Sequence, residues 1–130
     1  MHKILIVDDE PLMRQLIEQT LEGLEDGGVE LLTAEDGISA VETIKRERPD
    51  IVFLDVMMPK MNGFEVCNIV KNELLLRSVY VIMLTAKGQE FDKQKAREVG
   101  ADAYITKPFK VDEIYDKAID VLRIRPARES

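Results

Sequence analysis

The chain has 130 residues, close to the commonest size of one domain, and at 45% hydrophobic, 33% charged and 5% aromatic it has the composition of a soluble globular protein, not of a collagen-like or disordered one. Its 25 acids against 18 bases leave a net charge of −7, which repels nucleic acid and anionic membrane; Arg123, Arg125 and Arg128 form the only basic cluster and read as solvated tail charges. One cysteine, Cys67, and one histidine, His2, exclude an intramolecular disulfide, a thiolate-rich zinc site and a hydrolase built on a histidine base.

His2 stands at a chain end expected to fray. The first apolar run, Ile4–Val7, is cut by Asp8-Asp9, too early for a secretory signal peptide. No run approaches the roughly 18 apolar residues of a membrane span, so a cytoplasmic location is the default expectation. After Pro11, a residue suited to a first helical turn, Leu12, Leu16, Ile17, Leu21 and Leu24 recur at helical spacing. Gly27-Gly28 then marks a turn before a second strand, Val29–Ala34, and Ile38, Val41 and Ile44 give the stripe of a second helix.

Pro49 precedes the third strand, Ile51–Leu54, which runs directly into Asp55. Met58-Pro59 turns the chain, and Asn62-Gly63 opens a third helix whose stripe is Phe64, Cys67 or Ile69, and Val70. The fourth strand, Val79–Leu84, delivers Thr85-Ala86-Lys87. From Lys87 to Val99 only Phe91, Ala96 and Val99 are apolar at the right spacing, so this helix docks weakly and is cheap to move. A fifth strand, Ala103–Ile105, leads into Thr106-Lys107-Pro108-Phe109, and Val111, Ile114, Ala118, Ile119 and Leu122 line a last helix that Pro126 stops. The expected organisation is one domain over 1–124, with 125–130 a tail or the start of a linker.

Alternating strands and helices, with runs apolar on both faces, predict an α/β doubly wound parallel sheet. Such sheets bind ligands beyond the carboxyl ends of their strands. This sequence places Asp8, Asp9, Asp55, Thr85 and Lys107 there. Each alone has a plain explanation: a helix cap for Asp8 and Asp9, a turn for Asp55, a strand-end hydroxyl for Thr85, a solvated charge for Lys107. Tyr104 on its own reads as partly buried packing. Together, three crowded carboxylates call for a hard cation such as magnesium, while a lysine and a hydroxyl supply donors for a tetrahedral oxyanion. A carboxylate can be a nucleophile towards phosphorus, so the set suits phosphoryl transfer.

The stretches "IVDDEP", "FLDVMMPKMNGFE", "VIMLTAK" and "ADAYITKPF", in this order and spacing, resemble the receiver domain of two-component response regulators, over Lys3 to about Leu122. The resemblance implies a flavodoxin-like, five-stranded parallel sheet of order 2-1-3-4-5 flanked by five helices. It implies that Asp55 is the phosphoacceptor, served by a sensor histidine kinase or phosphotransfer protein. It implies Mg2+, or Mn2+ in its place, on Asp8, Asp9, Asp55 and the Met57 backbone carbonyl. It further implies that Lys107 pairs with the phosphoryl oxygens, that Thr85 and Tyr104 act as a switch, and that the Lys107–Pro108 bond is cis. Output would pass through the face of the fourth helix, fifth strand and fifth helix to a downstream protein or an output domain, with a phosphorylation-dependent homodimer open as a further use of that face. Asn62 stands where Asp is more usual in this pattern, and Met57 is an apolar choice two residues after the acceptor.

Three rivals remain in view. A magnesium-dependent aspartyl-nucleophile phosphatase needs a second acid two residues after its nucleophile, where this chain has Met57 after Asp55 and Glu10-Pro11 after Asp8. A flavodoxin-like flavin module lacks here both a Gly- and hydroxyl-rich phosphate loop and any tryptophan. A receiver-like domain that never takes phosphate is opposed by intact Asp9, Asp55 and Lys107.

Overall fold

The computed structural model describes residues 2–86 and 90–123. Five parallel strands form one sheet of order β2-β1-β3-β4-β5: β1 (His2–Val7), β2 (Val29–Ala34), β3 (Ile51–Asp55), β4 (Tyr80–Ala86) and β5 (Ala103–Lys107). The helices between them are α1 (Pro11–Leu21), α2 (Gly37–Glu47), α3 (Gly63–Asn68), α4 (Glu90–Glu98) and α5 (Val111–Leu122). A 3-10 turn, Glu22–Gly27, follows α1, and a π segment, Ile69–Glu73, continues α3. Lys87, the Phe91 side chain and the tail from Arg125 to Ser130, with Pro126, fall outside the described residues.

Side-chain parity along the strands divides the interior in two. Leu5, Val7, Val52, Leu54, Val81 and Met83 pack on one face with Ala40 and Ile44 of α2, Val66 and Cys67 of α3, and Ala96 of α4. Ile4, Ile6, Ile51, Phe53, Ile82 and Leu84 pack on the other with Ile17 and Leu21 of α1 and Ile114, Ala118 and Leu122 of α5. Both faces of β1, β3 and β4 are thus covered, which is why these runs are continuously apolar. The loop after β1 leaves for one face and the loop after β3 for the other, and the carboxyl ends of those adjacent strands flank the resulting crevice.

The structure corrects the expected elements in several places. His2 does not fray: it pairs with Val29, donates its N–H to Gly28 O at 3.3 Å and sets Nδ1 3.6 Å from Asp50 Oδ2. The fourth strand starts at Tyr80, because Val79 turns back to Leu76 O at 3.2 Å, and it runs on through Thr85 and Ala86. These pair with Thr106 and Lys107, which extends β5 likewise, and Asp55 is the last residue of β3. In the third helix Cys67, not Ile69, is the buried position. Leu12, Leu16, Ile38 and Val111 lie on the predicted stripes yet are exposed.

Candidate functional site

Asp8 follows β1, Asp55 ends β3, and one carboxylate oxygen each from Asp8, Asp9 and Asp55 lies within 4.8 Å of the others. Asp8 is fully buried and Asp55 is 5% exposed, whereas Asp9 faces solvent. Lys107, at the end of β5, places Nζ 3.2 Å from Asp8 Oδ2 and 3.2 Å from Asp55 Oδ1. The ammonium therefore bridges the two buried carboxylates, and the Lys107–Pro108 peptide bond that turns the chain away is cis.

Local chemistry explains the positions. Glu10 N–H donates to Asp8 Oδ1 at 2.9 Å, and Pro11 opens α1 without an unsatisfied N–H of its own. Arg14, one turn into α1, donates from its guanidinium to the Asp8 carbonyl at 2.7 Å. On the other side Asn62 caps α3, accepting from Glu65 N at 2.9 Å while Glu65 Oε1 accepts from Asn62 N at 3.1 Å, so the Asn at this position keeps the capping function. A Cβ on Gly63 would overlap the Asp55 carbonyl oxygen and stand 3.0 Å from Val56 Cα, so only glycine lets α3 start directly against the end of β3.

Burial disfavours the Asp55 carboxylate and raises its pKa to about 6; the Asp8 charge adds to this and the Lys107 ammonium opposes it. Burial acts to lower the Lys107 pKa, but the Asp55 and Asp8 charges outweigh it and the amine stays raised and cationic. The site thus holds more negative than positive charge in a confined space. Thr85, fully buried at the end of β4, has a hydroxyl with no hydrogen-bond partner among the described residues. Such a group costs about 1–3 kcal/mol unless another state satisfies it.

These residues surround a cleft of about 290 Å³ lined by Asp9, Glu10, Asp55, Val56, Met57, Leu84, Ala86 and Lys107. The Met57 side chain, 73% exposed, stands at its mouth. Tyr104 is not in this cleft: its ring, 38% exposed, lies under Lys93 Nζ at 5.3 Å, on a groove of about 530 Å³ between β5 and α5. The larger groove also carries acids and a lysine, Glu113, Asp116, Asp120 and Lys117, but its three acids are solvent-exposed, whereas the smaller cleft holds the buried Asp55 carboxylate against the Lys107 ammonium. An all-oxygen, partly wet donor set of three carboxylates fits a hard divalent cation such as magnesium.

Sequence comparison decides the family. The family model described as the response regulator receiver domain matches residues 4–119. The chain belongs to the response regulator receiver domain family. It is 42% identical over 121 residues to the alkaline phosphatase synthesis transcriptional regulatory protein PhoP of Bacillus subtilis, covering 93% of this chain and 48% of that protein. To protein PilG of Pseudomonas aeruginosa it is 39% identical over 112 residues, covering 86% of this chain and 81% of that one. A crystal structure of a response regulator from Chloroflexus aurantiacus superposes with TM-score 0.84 at 32% identity, covering 95% of this chain and 98% of that one. The chain spans about half the length of the PhoP protein that it matches.

Receiver domains are phosphorylation-dependent switches of two-component signalling, and this receiver has that function. Nothing favours the phosphatase or flavin-module alternatives. Among the described residues no helix is long and apolar enough to cross a membrane. Arg14 and Glu10 are the site residues the sequence did not single out. Their contacts run through main-chain atoms, and the one available signal was an arginine a single turn beyond an acidic pair.

Proposed function

We propose that Asp55 is the phosphoacceptor of this receiver. The observation that carries the reading is a buried carboxylate at the end of β3, 3.2 Å from the Lys107 ammonium and inside a triad of acids. An Asp55 oxygen attacks the phosphorus of a phosphohistidine on a sensor kinase or phosphotransfer protein, or of a small acyl phosphate. The P–N bond, or the P–O bond of the acyl phosphate, breaks as the new P–O bond forms, and the leaving group departs in line. Lys107 neutralises charge on the transferred oxygens. Asp8, Asp9, Asp55 and the Met57 backbone carbonyl would hold Mg2+, or Mn2+ in its place, which supplies further charge neutralisation when bound. The receiver thereby catalyses its own phosphorylation, and water entering past Met57 attacks the phosphorus, breaks the P–O bond to Asp55, releases inorganic phosphate and leaves the free carboxylate.

The unpartnered Thr85 hydroxyl supports a role as reader of the new dianion: turning towards a phosphoryl oxygen satisfies it. Its movement makes room for Tyr104 to turn inward from its exposed position under Lys93, which alters the face formed by α4, β5 and α5. Phosphorylation acts as a population shift whose size is set by how differently the two states hold the phosphoryl group. The receiver comprises residues 1–124, with 125–130 a tail or the start of a linker, and works in the cytoplasm. Its output passes to a downstream protein or an output domain, with a phosphorylation-dependent homodimer as a further use of the same face. The net charge of −7 argues against nucleic-acid binding by this domain.

Incubation with acetyl phosphate and magnesium, followed by intact-mass measurement, tests the reading. A gain of one phosphoryl group, absent in Asp55→Asn and absent with a chelator, is expected. No gain in folded protein from either acetyl phosphate or a phosphorylated histidine kinase would overturn it.

A further inference from the structure

We infer that Gly37, in the first turn of α2, is a positioning residue for the cation site, because the loop that carries Met57 is seated directly on its bare Cα. This rests on the reading above, in which the Met57 carbonyl and three carboxylates hold magnesium. The loop runs from Val56 to Asn62, and both of its ends are fixed. Val56 N–H donates to Leu84 O at 3.3 Å and Gly63 N–H donates to Val56 O at 2.9 Å. Between these pins the loop folds over α2, so that a Cβ on Gly37 would overlap the Met61 carbonyl oxygen and stand 2.6 Å from Met61 Cβ and 3.0 Å from the Met61 carbonyl carbon.

Magnitudes show which side yields. Ordinary contact begins at 3.4 Å, so a side chain at residue 37 forces a retreat of about 0.8 Å from Met61 Cβ and more from the Met61 carbonyl oxygen, beyond the roughly 0.5 Å within which a preorganised site must be held. Helix α2 cannot supply it: Ala40 and Ile44 are fully buried in the core, and Asp36 caps the helix by accepting from Ser39 N at 2.8 Å. The loop can, and with Val56 and Gly63 pinned the shift falls on residues 57–62. Met57 is among them. Magnesium tolerates little departure from octahedral geometry, so its affinity is sensitive to that displacement.

A second link between the same elements is weak. Lys60 Nζ lies 3.6 Å from Asp36 Oδ2, but its side chain is 62% exposed, and such a pair contributes little in water. The seat is therefore steric, and the ion pair serves as an internal control.

The test is magnesium binding to the full chain, read from the rise in melting temperature across a titration with magnesium chloride alone. Gly37→Ala should bind about tenfold or more weakly, in the range typical of a disturbed support around a metal site, while Lys60→Met binds as the unmodified protein does. At saturating magnesium, labelling of Gly37→Ala by acetyl phosphate should regain the unmodified plateau, so that only half-saturation moves. Unchanged magnesium affinity in Gly37→Ala, or a lowered plateau at unchanged half-saturation, would overturn the inference. Where Gly37→Ala does not fold, Met61→Gly, which opens the seat from the loop's side, decides: weaker binding supports the inference and unchanged binding overturns it. Absence of magnesium binding in the unmodified protein is a different result, since it removes the cation reading itself and this inference with it.

Discussion

Replacing the proposed phosphoacceptor should make the unliganded protein more stable, by an amount that depends on pH. Folding raises the Asp55 pKa from 3.8 to about 6, chiefly by burial. That is roughly 2 units, and at 1.36 kcal/mol per unit it corresponds to about 3 kcal/mol. An acid whose pKa is raised by folding binds its proton more tightly in the native state. The stability contributed by protonation is fully present below about pH 3.8 and is lost as pH rises through about 6. At pH 8 the wild-type protein therefore carries the full cost of a buried carboxylate. Asp55→Asn removes that cost, although it also removes one partner of Lys107, which keeps Asp8 at 3.2 Å. The expected gain is about 2–3 kcal/mol at pH 8, about half of that at pH 5 and little at pH 4. Urea denaturation of both proteins across this range, with a chelator present throughout, measures it. A variant less stable than wild type at pH 8, or a difference that does not change with pH, would refute the reasoning.

Two other substitutions probe neighbouring features. Thr85→Val replaces a buried hydroxyl that has no partner by a methyl group of similar size, and should stabilise the unphosphorylated protein by about 1 kcal/mol in thermal denaturation. The same variant should still be phosphorylated while failing to shift the Tyr104 environment, observable by NMR of the tyrosine ring. Lys71, buried on the π segment, sits 2.7 Å from Asp102 Oδ2, which also accepts from Val81 N at 2.8 Å. Lys71→Ala leaves that carboxylate without its cation and should cost about 3 kcal/mol in urea denaturation, whereas phosphorylation of Asp55 proceeds.

Much of the fold could be read from the residues because the sheet is covered on both faces, so β1, β3 and β4 had to be unbroken apolar runs. The strand ends were less legible. Thr85, Ala86, Thr106 and Lys107 belong to β4 and β5 through main-chain pairing, which leaves no mark on hydrophobicity. Helical periodicity also overreached. Leu12, Ile38 and Val111 occupy the first or second position of their helices and are exposed. Spacing reports direction around a helix axis and not how far along the axis the core extends.

In the site, the acids and Lys107 were legible because each is an ionisable group at the end of an apolar run. The Arg14 contact with the Asp8 carbonyl and the Gly37 seat against Met61 were not, since they act on backbone carbonyls and a Cβ that almost any residue supplies. Tyr104 was placed on the correct strand, and its exposed ring beneath Lys93 is a packing outcome that a single sequence does not encode.

The central claim, that Asp55 receives the phosphoryl group, is tested most directly by trapping the acyl phosphate chemically. Protein labelled with acetyl phosphate and magnesium is reduced with borohydride, which converts a phosphorylated aspartate to homoserine, and its peptides are sequenced by mass spectrometry. Homoserine at position 55, and at no other acid, is the predicted result. Homoserine at Asp8 or Asp9, or labelled protein in which residue 55 is still aspartate, would contradict it.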